Sequence, residues 1–142
     1  GEPKCAVSRA WVTAAASGVV ARSERNVVVL DLDGDGFEST GWVVLYMHVA
    51  DAGRIPVGTV VDRDDPLGHP SCEGGNATGT HVHVARKVNG EWVAADGPLP
   101  FEMSGWRALA GERAYLGFLA NGDQMVTANV SGASTSIVVR GQ

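Results

Sequence analysis

Apolar residues in this chain fall in short runs, alternating or nearly continuous, and the three-to-four spacing of an amphipathic helix is almost absent. WVTAAASGVV reads as a strand that ends or bends at Ser17-Gly18 and resumes at Val19. NVVVLDLD and GWVVLYMHVA are two further strands joined by GDGFEST, and GTVVD, HVHVARKV and EWVAAD supply three more. Alternation along GWVVLYMHVA predicts Val44, Tyr46 and His48 on one face and Leu45, Met47 and Val49 on the other. In HVHVARKV, His81 and His83 share a face, roughly 6 to 7 Å apart along the strand. Asn89-Gly90 is a strong hairpin signal, and AYLGFL and QMVTANV flank Asn121-Gly122 as a second hairpin. The terminal STSIVVRGQ reads as one more strand or a frayed end. The pattern predicts an all-β, mainly antiparallel fold, with residues 1–104 as the core and 105–142 as a small β extension packed on the same domain.

Composition narrows the partners. The 142 residues, 44% apolar and 19% charged, suit one ordinary domain with a real core, and the 19 glycines suit many turns. A net charge of −5 without a lysine or arginine cluster offers nothing to a phosphate backbone, so nucleic acid is not an expected partner. No apolar run reaches the roughly 18 to 20 residues of a bilayer span, and no charged-then-apolar leader opens the sequence. A monomer is expected. Cys5 and Cys72 lie outside any CxxC arrangement and read as one disulfide, which implies an extracytoplasmic home; two unrelated buried thiols in a cytosolic protein is the other reading.

Two motifs invite chemistry and are given none. DLDGDGFE sets Asp31, Asp33 and Asp35 at alternate positions, but the twelfth position of an EF-hand loop, where a glutamate is required, falls on Trp42. The segment also joins strands rather than helices, so it reads as an acidic turn. The triplets NAT at Asn76 and NVS at Asn129 match glycosylation sequons that arise often by chance. His69, in the loop LGHPSCEGG, sits among proline and glycines that argue against regular pairing, and it is a weak ligand candidate.

LYMHV followed by VGTVVDRDDPLGHPSCEGGNATGTHVHVARKVNGEW resembles the core of the lysostaphin-like, or LytM-type, zinc endopeptidases that cut peptidoglycan. A Y-x-H strand, a V-x-x-G turn, a glycine loop with TG and an H-x-H strand come in the family's order between Gly41 and Trp92, and WVTAAASGVV resembles the segment that precedes them. The resemblance covers about two thirds of the chain. It implies a β core of the duplicated-hybrid-motif type, with glycine-rich loops as groove walls. By position, it makes His83 a zinc ligand and His81 and His48 the catalytic histidines. Tyr46, Asn76 and Thr78 are the expected groove contacts, and the stem peptide or cross-bridge of peptidoglycan is the expected substrate. Zinc would lower the pKa of a bound water and polarise the scissile carbonyl, while imidazoles move protons.

One element of the family pattern is missing. Its H-x-x-x-D motif, which supplies two further zinc ligands, precedes the first strand of the pattern, and GEPKCAVSRA ahead of Trp11 contains neither histidine nor aspartate. The expectation is a fragment of a secreted, periplasmic or wall-associated enzyme whose first motif lies ahead of residue 1. As it stands, the fragment would bind zinc weakly or not at all and would not hydrolyse peptide. The alternative is a degenerate, non-catalytic relative that binds peptidoglycan or regulates a partner hydrolase.

Overall fold

The computed structural model describes residues 4–96, 98–99, 101–103, 106–111 and 117–127, and every regular element among them is a strand. The chain divides into two compact units, Gly1–Val93 and Ala94–Gln142.

The first unit contains β1 (Val12–Thr13), β2 (Gly18–Glu24), β3 (Val27–Asp31), β4 (Trp42–Met47), β5 (Val60–Val61), β6 (Pro66–Gly68), β7 (His83–Val88) and β8 (Glu91–Val93). Six of them form one antiparallel sheet in the order β5-β2-β3-β4-β7-β8, and β1 pairs with β6 apart from it. β3 and β4 occupy the middle and are buried on both faces, which is why their sequences run almost uninterrupted in valine and leucine. Val29, Val43 and Leu45 cluster on one face, with Ala21 and Val27 packed against them. Val20, Val28, Leu30, Val44 and Tyr46 fill the other.

Turn chemistry sets the register. Arg25 and Asn26 (φ 50° and 65°) make the two-residue turn between paired Glu24 and Val27. Asn89 and Gly90 (φ 50° and 82°) do the same between Val88 and Glu91, as the Asn-Gly signal required. Asn89 also ties the long β3–β4 loop down, its side-chain oxygen accepting from the Gly41 amide at 2.8 Å.

The segment around His69 departs from expectation. Its proline and glycines argue for irregular backbone, yet β6 pairs with β1, and Pro70 and Ser71 form bridges to Val49 and His81. The ladder tolerates Pro70 because its bonds are made by the neighbours, with Ala50 donating to the His69 carbonyl at 2.9 Å and Ser71 donating to the His48 carbonyl at 2.9 Å.

Cys5 and Cys72 are bonded. The bridge straps the segment from Lys4 to Ser8 along the strand that carries Pro70, where Ser8 donates to the Pro70 carbonyl at 2.9 Å and Thr80 donates to the Lys4 carbonyl at 2.7 Å.

The second unit holds β9 (Glu102–Met103), β10 (Trp106–Ala110), β11 (Gly117–Asn121) and β12 (Gln124–Thr127), an antiparallel sheet in the order β12-β11-β10-β9 with Phe101 and Trp106 buried. Its β11–β12 hairpin turns at Gly122-Asp123, between paired Asn121 and Gln124. Within this unit β9 pairs with β10, Met103 opposite Trp106 and Glu102 opposite Arg107. The strand expected at STSIVVRGQ lies outside the described residues.

Replacing both Cys5 and Cys72 by serine should lower the unfolding free energy by up to about 4 kcal/mol, the chain-entropy value for a loop of this length. Urea denaturation monitored by tryptophan fluorescence measures it.

Candidate functional site

His83 opens β7 opposite Met47, which places it on the sheet face of Leu45 and Val43. His81, two residues earlier, bridges to Ser71. His48 follows Met47, and continued alternation would send it to the opposite face with Tyr46. The backbone prevents this. His48 takes a left-handed conformation, φ 66°, directly after β4, so the predicted Val44–Tyr46–His48 face ends at Tyr46. Its ring instead lies against that of His81, centroids 4.5 Å apart and planes tilted by 44°.

Hydrogen bonds assign the tautomers. His48 Nδ1 lies 3.1 Å from the Glu73 carbonyl oxygen and His81 Nδ1 lies 2.8 Å from that of Gly79. A carbonyl only accepts, so both Nδ1 atoms carry the proton and each neutral ring presents its Nε2 lone pair. Burial holds the pKa of His83 below the ordinary histidine value, and protonation of His48 or His81 would push it the same way. His83 is therefore neutral at physiological pH, the form that ligates a metal. The three rings also differ in access, with His48 only 8% exposed, His83 half-buried and His81 open to solvent.

Zinc requires three or four protein ligands around one point. Among the described residues, one group of three metal-ligating side chains has its donor atoms within 4.8 Å of one another, and it is Asp31, Asp33 and Asp35 rather than the histidines. The described residues thus supply imidazoles for a zinc site but not a complete one. The aspartates cannot complete it. Asp31 pairs with Val43 and His83 pairs with Met47, four residues or roughly 13 Å away along β4.

The acidic loop is satisfied as a turn. The buried Asp31 carboxylate accepts from the amides of Gly36 (2.6 Å) and Asp33 (3.3 Å), and Asp35 accepts from Phe37 (2.8 Å) and from the Thr40 hydroxyl. Burial pushes the Asp31 carboxyl upward, against the opposing pull of the Gly36 amide.

The other predicted site residues divide. Asn76 and Thr78 lie in the loop between Cys72 and His81, both exposed. Tyr46 is not a groove residue. It is 2% exposed, on the face opposite His83, and its hydroxyl accepts from the Ala15 amide at 2.8 Å. His69 stacks on Trp11, centroids 3.8 Å apart, with its Nδ1 donating to the Ala10 carbonyl at 2.7 Å.

Sequence reasoning missed Ser71, Glu73 and Asn26, which hold His48. The Ser71 hydroxyl donates to the His48 carbonyl at 2.8 Å, Glu73 supplies the acceptor for its ring, and the Asn26 carbonyl accepts from Val49 at 3.0 Å. The signal available was Asn26 at the very start of the predicted strand NVVVLDLD, a residue type that tolerates a positive φ.

No protein-family model and no curated protein matches the chain. Among solved structures, one described as a novel M23 metalloprotease, pseudoalterin, from the deep sea superposes with a TM-score of 0.66 at 23% identity, over 90% of this chain and 75% of that one. The fold is that of an M23 metalloprotease. A zinc-containing peptidase from Vibrio cholerae aligns with a TM-score of 0.44 and 21% identity over 70% of this chain and 29% of its own, too weakly to carry an argument.

The placement of Tyr46 has a pH consequence. Burial pushes its hydroxyl from 10.0 up to about 12. The unfolded chain therefore deprotonates first, and stability present below about pH 10 should fall by roughly 3 kcal/mol as pH rises toward about 12. Tyr46→Phe should cost about 1–3 kcal/mol at neutral pH, by orphaning the Ala15 amide, and should remove this alkaline loss. Urea midpoints at about pH 8 and about pH 11 for both proteins test it.

Proposed function

We propose that this chain belongs to a zinc-dependent endopeptidase that cleaves peptide cross-links of bacterial peptidoglycan outside the cytoplasm. One observation carries the reading: the rings of His48 and His81 lie with centroids 4.5 Å apart at the end of the sheet where His83, two residues after His81, opens β7. Such convergence does not follow from packing needs, because three imidazoles add polar atoms where an apolar side chain would fill the space at less cost. The shared fold and the bonded cysteines support it.

In this reading His83 is a zinc ligand, and two further ligands come from outside the described residues. The Lys4 carbonyl accepts from the Thr80 amide, one residue before His81, so the strap from Lys4 to Ser8 runs close to the histidines. Bound zinc would supply a water acidic near neutrality and a Lewis acid for the scissile carbonyl. His48 and His81 each hold an Nε2 lone pair ready to accept a proton, and His81, open to solvent, exchanges it with water. The loop bearing Asn76 and Thr78 forms one wall of the groove that receives an extended peptide.

The incomplete donor set among the described residues favours a second reading, a non-catalytic module that binds the same wall peptide or regulates a partner hydrolase.

Zinc content and peptidoglycan hydrolysis of the full-length protein separate the two. On the enzyme reading, about one zinc per molecule is expected, His83→Ala should abolish both zinc and activity, and His81→Ala or His48→Ala should keep the metal and lower turnover by roughly 100-fold or more. Full zinc occupancy in His83→Ala overturns the ligand assignment. A metal-free, inactive full-length protein that still sediments with peptidoglycan establishes the binding module. The present chain alone should bind zinc weakly or not at all and should not hydrolyse peptide.

A further inference from the structure

The contacts around His48 form a chain that ends far from it in sequence. Asn26, in the left-handed turn between β2 and β3, shares its side-chain amide among the Val49 carbonyl (3.0 Å), Asp51 Oδ1 (3.0 Å) and Glu73 Oε1 (3.2 Å). The same Glu73 oxygen accepts from the Asp51 amide at 3.0 Å, and Arg54 holds Asp51 at 2.7 Å. Glu73 is thus clamped through its side chain to both the β2–β3 turn and the segment after β4. Its amide donates to Ser71 Oγ at 3.0 Å, and its carbonyl faces His48 Nδ1. The next residue closes the fit, since a Cβ on Gly74 (φ 76°) would come within 2.6 Å of Asn26 Cβ and 2.9 Å of the Arg25 carbonyl. The glycine lets the loop backbone lie directly on the turn.

We propose that Asn26 and the Glu73 side chain are positioning residues for His48: by fixing the loop, they aim the Glu73 carbonyl at Nδ1 and thereby set the ring's tautomer and leave Nε2 facing the His81 side. Neither residue touches the reacting centre. The consequence for turnover rests on the reading of His48 given above, whereas the positioning itself is a property of this chain and is measured without substrate.

Long-range 1H–15N spectra of the chain, recorded where histidines are neutral, report each ring's tautomer. The wild-type protein is expected to show His48 as the Nδ1–H form. Asn26→Gly keeps the left-handed turn and removes the amide. Glu73→Ala removes the clamp, and Glu73→Gln retains an oxygen for Asp51 and Asn26. The first two should shift a substantial fraction of His48 to the other tautomer while His81, bonded to Gly79, stays unchanged, and Glu73→Gln should behave as wild type. An Nε2–H form of His48 in the wild type overturns the proposal. So does a wild-type His48 spectrum in folded Glu73→Ala, which decides the matter even where Asn26→Gly does not fold.

In a hydrolytically active full-length protein, Glu73→Ala should lower kcat roughly 10- to 100-fold with KM and zinc content unchanged, and glutamine should restore it. An altered tautomer with no hydrolysis by the full-length wild type leaves the positioning intact and removes the peptidase reading instead.

Discussion

The structure turns on a backbone conformation that a side chain disfavours. A non-glycine residue in the left-handed region costs about 1–2 kcal/mol, and His48 adopts it at the point where β4 leaves the sheet. Without that reversal, strict alternation would direct the imidazole to the face occupied by Tyr46, across the sheet from His83. The conformation persists because both flanks are fixed, with the His48 carbonyl accepting from the Ser71 amide and hydroxyl and the Val49 amide donating to Asn26. A local cost is held by hydrogen bonds from segments distant in sequence.

Those segments are themselves placed by sheet geometry. β4 pairs with β7 only as far as Met47 and His83; beyond that point the strand carrying Pro70 and Ser71 enters between them. The insertion separates His48 from direct pairing with the β7 side, yet brings His81 into a bridge with Ser71, so both histidines are referenced to the same residue. The disulfide at Cys72 and the strap from Lys4 to Ser8 bind the outer side of this insertion. The rigid region of the fold, the doubly buried β3 and β4, thus ends where irregular backbone begins, an arrangement common where a scaffold carries a functional site.

The sheet was legible in the sequence because valine-rich runs and the Asn89-Gly90 turn carry local, mutually consistent signals, and the longer strands begin or end within a few residues of the apolar segments that predict them. His81 and His83 were legible as a pair because they lie in one regular segment with period two. The orientation of His48 was not, because it depends on a single positive φ enforced by Asn26 and Ser71, and no pattern within GWVVLYMHVA encodes contacts made by distant residues. Tyr46 misled for the related reason that periodicity distinguishes the two faces of a strand but not whether either is covered. In β4 both are.

The graded burial of the histidines separates roles that sequence spacing leaves equivalent. An imidazole that ligates a metal must stay neutral, and the half-buried position of His83 disfavours its protonated form. A group that returns protons to solvent must reach it, and His81 does. His48, buried with its Nδ1 committed to Glu73, has one remaining nitrogen and one direction in which to use it. On the proposed reading, selectivity among the three therefore comes from depth and from what each Nδ1 touches, and a rearrangement of the Glu73 loop would alter the most constrained of them first.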